Sequence, residues 1–473
     1  MHQSLFTLTE TAIKYTWRQL AQRAGITGGN PQGTGFEGTH LPVYYTDPGR
    51  GRPAHPALFV VPCDSAAWDR LLQRAPHSLD WLPTHRAMPP DSQLPIGDSI
   101  PVLFWGAGYE DGSRPFAERR EDGSVVFYVD VVAAAFFMLS RWEETVRPAR
   151  DEHERFPAAA SVAHQQGFLD RPVVDEYALI LRQWLKVLLP GWEPRLRPFS
   201  VKLSHDIDSL GRFPNWPRAF RTVGRELIKR RNPSLAWQFG VDAIAQVVAP
   251  DHTQFFQGIC SLAEWSRTCG IGGDAFYFMA AEPGPQDNGY DPASPLVKRC
   301  MAELREQGFE IGLHAGYHTL NNPERLAAEK ARLDAVLGET RYGGRQHFLR
   351  FRVPHTWRYW EQVGLAYDST MTYPGYAGFR CGTCHPFRPF DVEQNRELNL
   401  WERPLIVMDQ TLRLYRELAP EQGEKRIVEL AQRCRQVEGT FTLLWHNTSL
   451  SGEWRPWVKA YRRVVKAMAE VQE

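Results

Sequence analysis

The sequence predicts an α/β protein in two parts. A smaller mixed α/β domain spans 1–195, and a larger domain built on a parallel sheet or barrel spans 196–473. Three observations predict this. From Phe199 on, strand-like and helix-like segments alternate, which is the signature of βα units. Before that point, mixed elements are separated by long Pro-, Gly- and Asp-rich loops. Between the two lies Leu189-Pro190-Gly191-Trp192-Glu193-Pro194-Arg195, a run of chain breakers that reads as a linker.

In the first part, helical periodicity runs from Thr9 to Ala24, and Gly and Pro then dominate to about Pro56. Pro56 to Pro62 reads as a strand bounded by prolines, with further strands at Ile100 to Trp105 and Val125 to Val132. Phe136 to Thr145 and Val173 to Leu189 read as amphipathic helices. The cluster Asp151, Glu152, His153 and Glu154 reads as a solvated loop.

In the second part, Ser200 to Leu203 is the first strand, followed by a mostly helical, basic insertion near 214–258. Lys229-Arg230-Arg231 within it reads as a solvated helix end. Ala275 to Met279 and Phe309 to Leu313 are strands, and Pro295 to Gln307 is a helix stopped by Gly308. Asn322-Pro323-Glu324 starts the next helix, with Asn as cap and Pro at the first position. Later strands are expected at Phe348 to Arg352, Ala366-Tyr367 and Thr440 to Trp445.

The chemistry gathers at strand ends. In Lys202-Leu203-Ser204-His205-Asp206-Ile207-Asp208 a short apolar strand runs into two carboxylates. Residues i and i+2 of a strand share a face, so Asp206 and Asp208 point into one space. Like charges that close call for a cation, a proton or an arginine between them. His314 and His318 follow the Phe309 strand at a spacing that suits one metal ion when the chain turns helically. Parallel sheets and barrels carry their functional crevice at strand C-terminal ends, so both pairs are expected on one rim. Arg352 is placed at another such end, able to hold a carboxylate ionised, and His446 ends the last strong strand.

Composition removes several classes. Lys+Arg 55 balances Asp+Glu 55, against a general binder of nucleic acid or anionic membranes. No apolar run is long enough to be a transmembrane segment, and Val131 to Leu139 reads as a buried helix. Met1-His2-Gln3-Ser4 lacks signal-peptide character, so a soluble, cytoplasmic protein is expected. Seven scattered cysteines fit reduced thiols, and Cys381-Gly382-Thr383-Cys384 reads as a turn. The 16 tryptophans are compatible with a carbohydrate ligand, although core packing accounts for most of them.

Four motifs in order, Ser204 to Asp208, His314 to His318, Phe351-Arg352-Val353-Pro354 and Leu444-Trp445-His446, resemble the NodB-homology polysaccharide deacetylases, carbohydrate esterase family four. The resemblance implies a distorted (β/α) barrel of about seven strands and a divalent metal, often zinc. It implies that Asp206 is the base, that Asp208, His314 and His318 hold the metal, that Arg352 orients the base and that His446 is the acid. Ile207 separates the two aspartates, which are adjacent in the family's usual pattern, so the roles of Asp206 and Asp208 could be exchanged. Trp445 and Trp357 lie beside the motifs, placed to stack on a sugar ring, and Asp368 or Glu402 could set the pKa of His446. Phe136 to Glu144 and Gly167 to Pro172 resemble an uncharacterised domain that precedes such deacetylases in bacteria. The implied activity is removal of N-acetyl groups from a sugar or polysaccharide precursor. The alternatives are hydrolysis of another non-peptide C–N bond and non-catalytic glycan binding.

Overall fold

Val201, Leu203 and Ile207 alternate with Lys202, Ser204 and Asp206, and this alternation builds strand β1 (Ser200–Ile207) in a computed structural model of the chain. The apolar set joins the main core, while Ser204 and Asp206 face the interior of the sheet's curve and bond there to Arg345. The structure describes residues 6–26, 43–48, 56–92, 95–213, 215–287 and 289–472. Met1 to Ser4 and most of the Gly/Pro-rich stretch before Pro56 lie outside them.

Seven further strands join β1: β2 (Ala275–Met279), β3 (Glu310–Ala315), β4 (Gly344–Gln346), β5 (Tyr367–Asp368), β6 (Trp401–Glu402), β7 (Val407–Met408) and β8 (Thr440–Leu444). Their order is β6-β5-β4-β3-β2-β1-β8-β7, with every pairing parallel. The sheet curls into a half-barrel that is open between β6 and β7. It thus has eight strands where about seven were expected, because β5, β6 and β7 are only two residues long.

The strand expected at Phe348 to Arg352 is a correction. The chain is already past its strand there, in a short 3-10 turn at His347–Leu349, and β4 lies just upstream. Gly343-Gly344 carries little strand propensity, but close packing demands both glycines. A Cβ on Gly344 would sit 2.0 Å from the Leu313 carbonyl oxygen, and one on Gly343 would sit 2.2 Å from the Tyr367 ring.

The insertion after β1 is a helical hairpin, α1 (Trp216–Ile228) and α2 (Pro233–Val248), followed by α3 (Gln254–Thr268). Asn215 and Asn232 cap the first two, accepting from the Arg218 and Leu235 backbone N–H groups.

Upstream, the strands Val43–Tyr45, Leu58–Val60 and Val125–Phe127 pair in parallel, and Ala117–Arg119 closes the sheet antiparallel. The helix Val131–Leu139 is buried along its whole length, between the helices Glu10–Ala24 and Val173–Leu188. Burying each of its Val, Phe, Met and Leu side chains is worth roughly 1.5–3 kcal/mol. Buried ion pairs join this half to the barrel half: Arg380 bonds both Glu144 oxygens, at 2.6 and 2.9 Å. The Cys381–Cys384 turn packs against Asp175, which accepts from the Cys384 backbone N–H at 2.9 Å and the Thr383 hydroxyl at 2.6 Å. Among the described residues no helix is long and apolar enough to cross a membrane.

Candidate active site

At the C-terminal rim of the half-barrel, the alternation of β1 sends Asp206 and Asp208 to the same side, and His314 at the end of β3 meets them. His314 Nε2 lies 3.2 Å from Asp208 Oδ1 and 3.8 Å from Asp206 Oδ2. His347 comes directly off β4, and its Nε2 lies 3.9 Å from Asp208 Oδ1. His446 follows β8, with its Nε2 3.9 Å from Asp208 Oδ2. Three imidazoles thus converge on one carboxylate. The cluster reaches solvent at Asp208, whose side chain is 18% exposed, whereas the side chain of Asp206 is 3% exposed.

Each imidazole is held from behind. His314 Nδ1 lies 3.1 Å from the Arg345 carbonyl oxygen, His347 Nδ1 lies 2.8 Å from Asp287, and His446 Nδ1 lies 2.7 Å from Asp409. A carbonyl or carboxylate accepts, so each Nδ1 carries a proton, and whenever His314 and His347 are neutral their Nε2 lone pairs point into the cluster. His314 Nε2 and Asp208 Oδ1 are both buried without a hydrogen-bond partner. Buried polar atoms left unsatisfied in this way fit a cation as their partner. Asp208, His314 and His347 place their ligand atoms within 4.8 Å of one another, a carboxylate and two imidazoles suited to zinc or a similar divalent ion.

The electrostatics follow from this crowding. Burial opposes charge on Asp208, but His446 and His314 beside it hold its pKa far below the usual carboxylate range. Burial also opposes charge on His314, and Asp206 and Asp208 overcome it, raising that pKa above the ordinary imidazole value. For His446 the contest is more lopsided. Burial disfavours the imidazolium, yet Asp409 and Asp208 together push its pKa up to about 10.

The structure brings together Asp206, Asp208, His314 and His446 of the residues singled out from the sequence, and it separates the other four. His318 is exposed and outside the ligand group. The chain leaves β3 through Gly316 into a 3-10 turn at Tyr317–Thr319, so the helical i, i+4 geometry assumed for the two histidines does not form. His347 stands in the expected place of His318. Arg352 does not reach the carboxylates; its backbone N–H bonds the Thr356 hydroxyl at the start of a helix. Arg345 grips Asp206 instead, Nη1 to Oδ1 at 2.7 Å, and also bonds Ser204. Trp445 is fully buried against Trp457 and Tyr461, because alternation that turns His446 inward turns Trp445 out under the covering helix. Trp357 is fully buried as well, its Nε1 donating to Glu402 at 2.8 Å. Neither tryptophan presents a face to a ligand. Asp368 and Glu402 pair with each other rather than with His446, and burial together with Asp368's charge pushes Glu402 well above the usual range.

Four contributors escaped the sequence reading: Arg345, His347, Asp287 and Asp409. Asp409 had a readable signal, since Leu405-Ile406-Val407-Met408-Asp409 repeats the apolar-strand-then-acid grammar of β1.

The first half of the chain reaches this rim. Phe348 and Leu349, just after His347, hold left-handed φ angles of 60° and 54°. Such angles cost non-glycine residues on the order of 1–2 kcal/mol each. Arg155, anchored on Asp151, donates to the Phe348 carbonyl at 3.0 Å, and His153 packs on the Phe348 ring. The acidic cluster at 151–154 therefore braces the turn beside His347 rather than forming a freely solvated loop.

A model of a family of unknown function, DUF7033, matches residues 78–190. No curated protein matches the chain. One solved structure that aligns is a candidate polysaccharide deacetylase from Mycobacterium smegmatis, with 14% identity over 59% of this chain and 87% of that chain, at a TM-score of 0.38. Likeness at that level carries nothing about the site or the activity.

Proposed function

We propose that this chain is a metal-dependent hydrolase that removes N-acetyl groups from a sugar or a polysaccharide precursor. One observation carries the reading: His314 and His347 aim Nε2 at Asp208, each fixed through Nδ1, beside an Asp206 that Arg345 grips at 2.7 Å. Asp208, His314 and His347 would hold a divalent ion such as zinc. When bound, that ion supplies Lewis acidity for a carbonyl and lowers the pKa of water.

The chain's own groups supply the proton transfers. Asp206 has one oxygen committed to Arg345 and the other facing the cluster, so it is the base that accepts a proton from the attacking water. Water adds to the amide carbon as the new C–O bond forms. His446 Nε2 then donates its proton to the nitrogen as the C–N bond breaks and the amine departs. Asp409 fixes the ring angle of His446 and favours its cationic form. A cation at Asp208 would cancel that carboxylate's pull on His446, which leaves Asp409 as the group that maintains the acid. Arg345 takes the orienting role expected of Arg352.

Acetate release from N-acetylated sugar substrates, measured with wild type, Asp206→Asn and His446→Ala after reconstitution with zinc, tests the proposal. Release lost in both variants while metal uptake persists is the expected result. Release that is unchanged in either variant contradicts its assigned role.

A further inference from the structure

The hairpin α1–α2 carries most of the exposed bulk of apolar side chains in the described structure. Nine of the 14 large hydrophobic residues that are exposed among the described residues lie on these two helices. A solvated insertion does not concentrate them so. Phe220, Ile228, Trp237 and Val248 are 70%, 79%, 74% and 73% exposed. They follow helical periodicity. On α1, Trp216, Phe220, Leu227 and Ile228 fall at i, i+4, i+11 and i+12; on α2, Trp237, Val241, Ile244 and Val248 fall at i, i+4, i+7 and i+11. The opposite faces, with Ala219 on α1 and Leu235, Phe239 and Ala243 on α2, bury against each other. The outer stripes are left uncovered.

Charge identifies the partner. The exposed ionic groups of the hairpin are Arg218, Arg221, Arg225, Lys229, Arg230 and Arg231, all basic. Its two acids, Glu226 and Asp242, are 1% and 2% exposed, and they face Arg225 and Arg230, and Arg212, respectively. Arg230 also pairs with Glu453 of a neighbouring loop. A second copy of this chain docking here would set arginine against arginine with no hairpin acid to compensate. An anionic lipid surface answers both features, since acyl chains accept the Trp, Phe, Ile and Val stripe and headgroups accept the basic one.

We propose that the α1–α2 hairpin is a peripheral membrane-docking element that inserts its apolar stripes at the interface of an anionic phospholipid surface. The balanced charge of the whole chain conceals this, because the basic residues are concentrated on a single insertion. Lys229-Arg230-Arg231 is then part of a lipid-facing surface rather than a merely solvated helix end. The hairpin springs from the strand end that carries Asp206 and Asp208, but the inference does not depend on the activity proposed for them.

Flotation of the full chain with vesicles tests it, using phosphatidylcholine alone and phosphatidylcholine with phosphatidylglycerol in equal parts. Wild type should float with the mixed vesicles, far less with phosphatidylcholine alone, and less as salt is raised. Two triple variants, Phe220→Ser/Ile228→Ser/Trp237→Ser and Arg221→Gln/Lys229→Gln/Arg231→Gln, should each lose roughly tenfold or more in partitioning. Both should retain the wild-type melting temperature and metal content, since the altered side chains are exposed. Wild type left at the bottom of the gradient with mixed vesicles would overturn the proposal. So would folded variants that float like wild type, or a wild-type dimer that the apolar variant dissolves without any vesicle binding.

Discussion

Among the described residues, two trios of ligand-capable side chains are built in opposite ways. Asp208, His314 and His347 lie at the barrel rim; Asp175, Cys384 and His385 lie where the two halves of the chain meet; each trio has its ligand atoms within 4.8 Å. In the second trio the donors are spent. Asp175 accepts from Arg23 and Thr383 on one oxygen and from the Cys384 backbone N–H on the other. His385 Nε2 faces the Val437 carbonyl at 2.9 Å, and burial with Cys434 and Asp175 nearby drives the Cys384 thiol well above its ordinary range. In the first trio each imidazole is held through Nδ1 from behind, and His314 Nε2 and Asp208 Oδ1, 3.2 Å apart, make no hydrogen bond. A lone pair held in place and left spare distinguishes a ligand from a brace, and the count of donors does not.

The largest effect that sharpens this contrast belongs to His314. His314→Ala should abolish uptake of a divalent ion altogether, read by metal analysis after reconstitution. Next comes catalysis: His446→Ala should spare the metal but cost about 10²–10⁴ in rate. Asp409→Asn adds a signed test. A general acid loses activity as pH rises through its pKa, and Asp409 raises that pKa, so the variant's kcat/KM profile should lose its basic limb at lower pH than wild type.

The second trio should respond in stability alone. Asp175→Ala leaves Arg23 buried and unpaired, where both side chains are 1–2% exposed, and should cost roughly 3–5 kcal/mol of folding free energy with metal content unchanged. Denaturant unfolding beside metal analysis reads both. The smallest effect is behind the site: Asp287→Asn should weaken metal affinity about 10–100-fold by loosening His347. The affinity of wild type should itself fall as pH falls. Asp206 and Asp208 raise the pKa of His314, so in acid a proton occupies the lone pair that the metal needs.

Much of this rim was legible as strand grammar. β1, β2, β3 and β8 are strands of five to eight residues and read correctly, and β1, β3 and β8 carry Asp206, His314 and His446 at or just past their C-terminal ends. The helix begun by Asn322-Pro323 did too, because its cap is a local signal. The failures share a physical cause. β4 is three residues long and opens with a glycine, so neither propensity nor periodicity marks it, and Arg345 and His347 vanish with it. Arg352 sits in an apolar stretch that only looks like a strand end. Trp445 faces away from the site by the same alternation that sends Asp206 and Asp208 to one side, since it stands one residue before His446. His318 failed because a spacing that suits an α-helix was read across the end of a strand, where the chain makes a 3-10 turn.

In the proposed metal-binding set, His347 and not His318 stands with Asp208 and His314. Zinc titration of wild type, His347→Ala and His318→Ala, followed by calorimetry under identical conditions, tests it most directly. Wild type and His318→Ala should bind zinc stoichiometrically, and His347→Ala should bind none. Binding that survives in His347→Ala but disappears in His318→Ala, or a wild type that takes up no divalent ion, would contradict it.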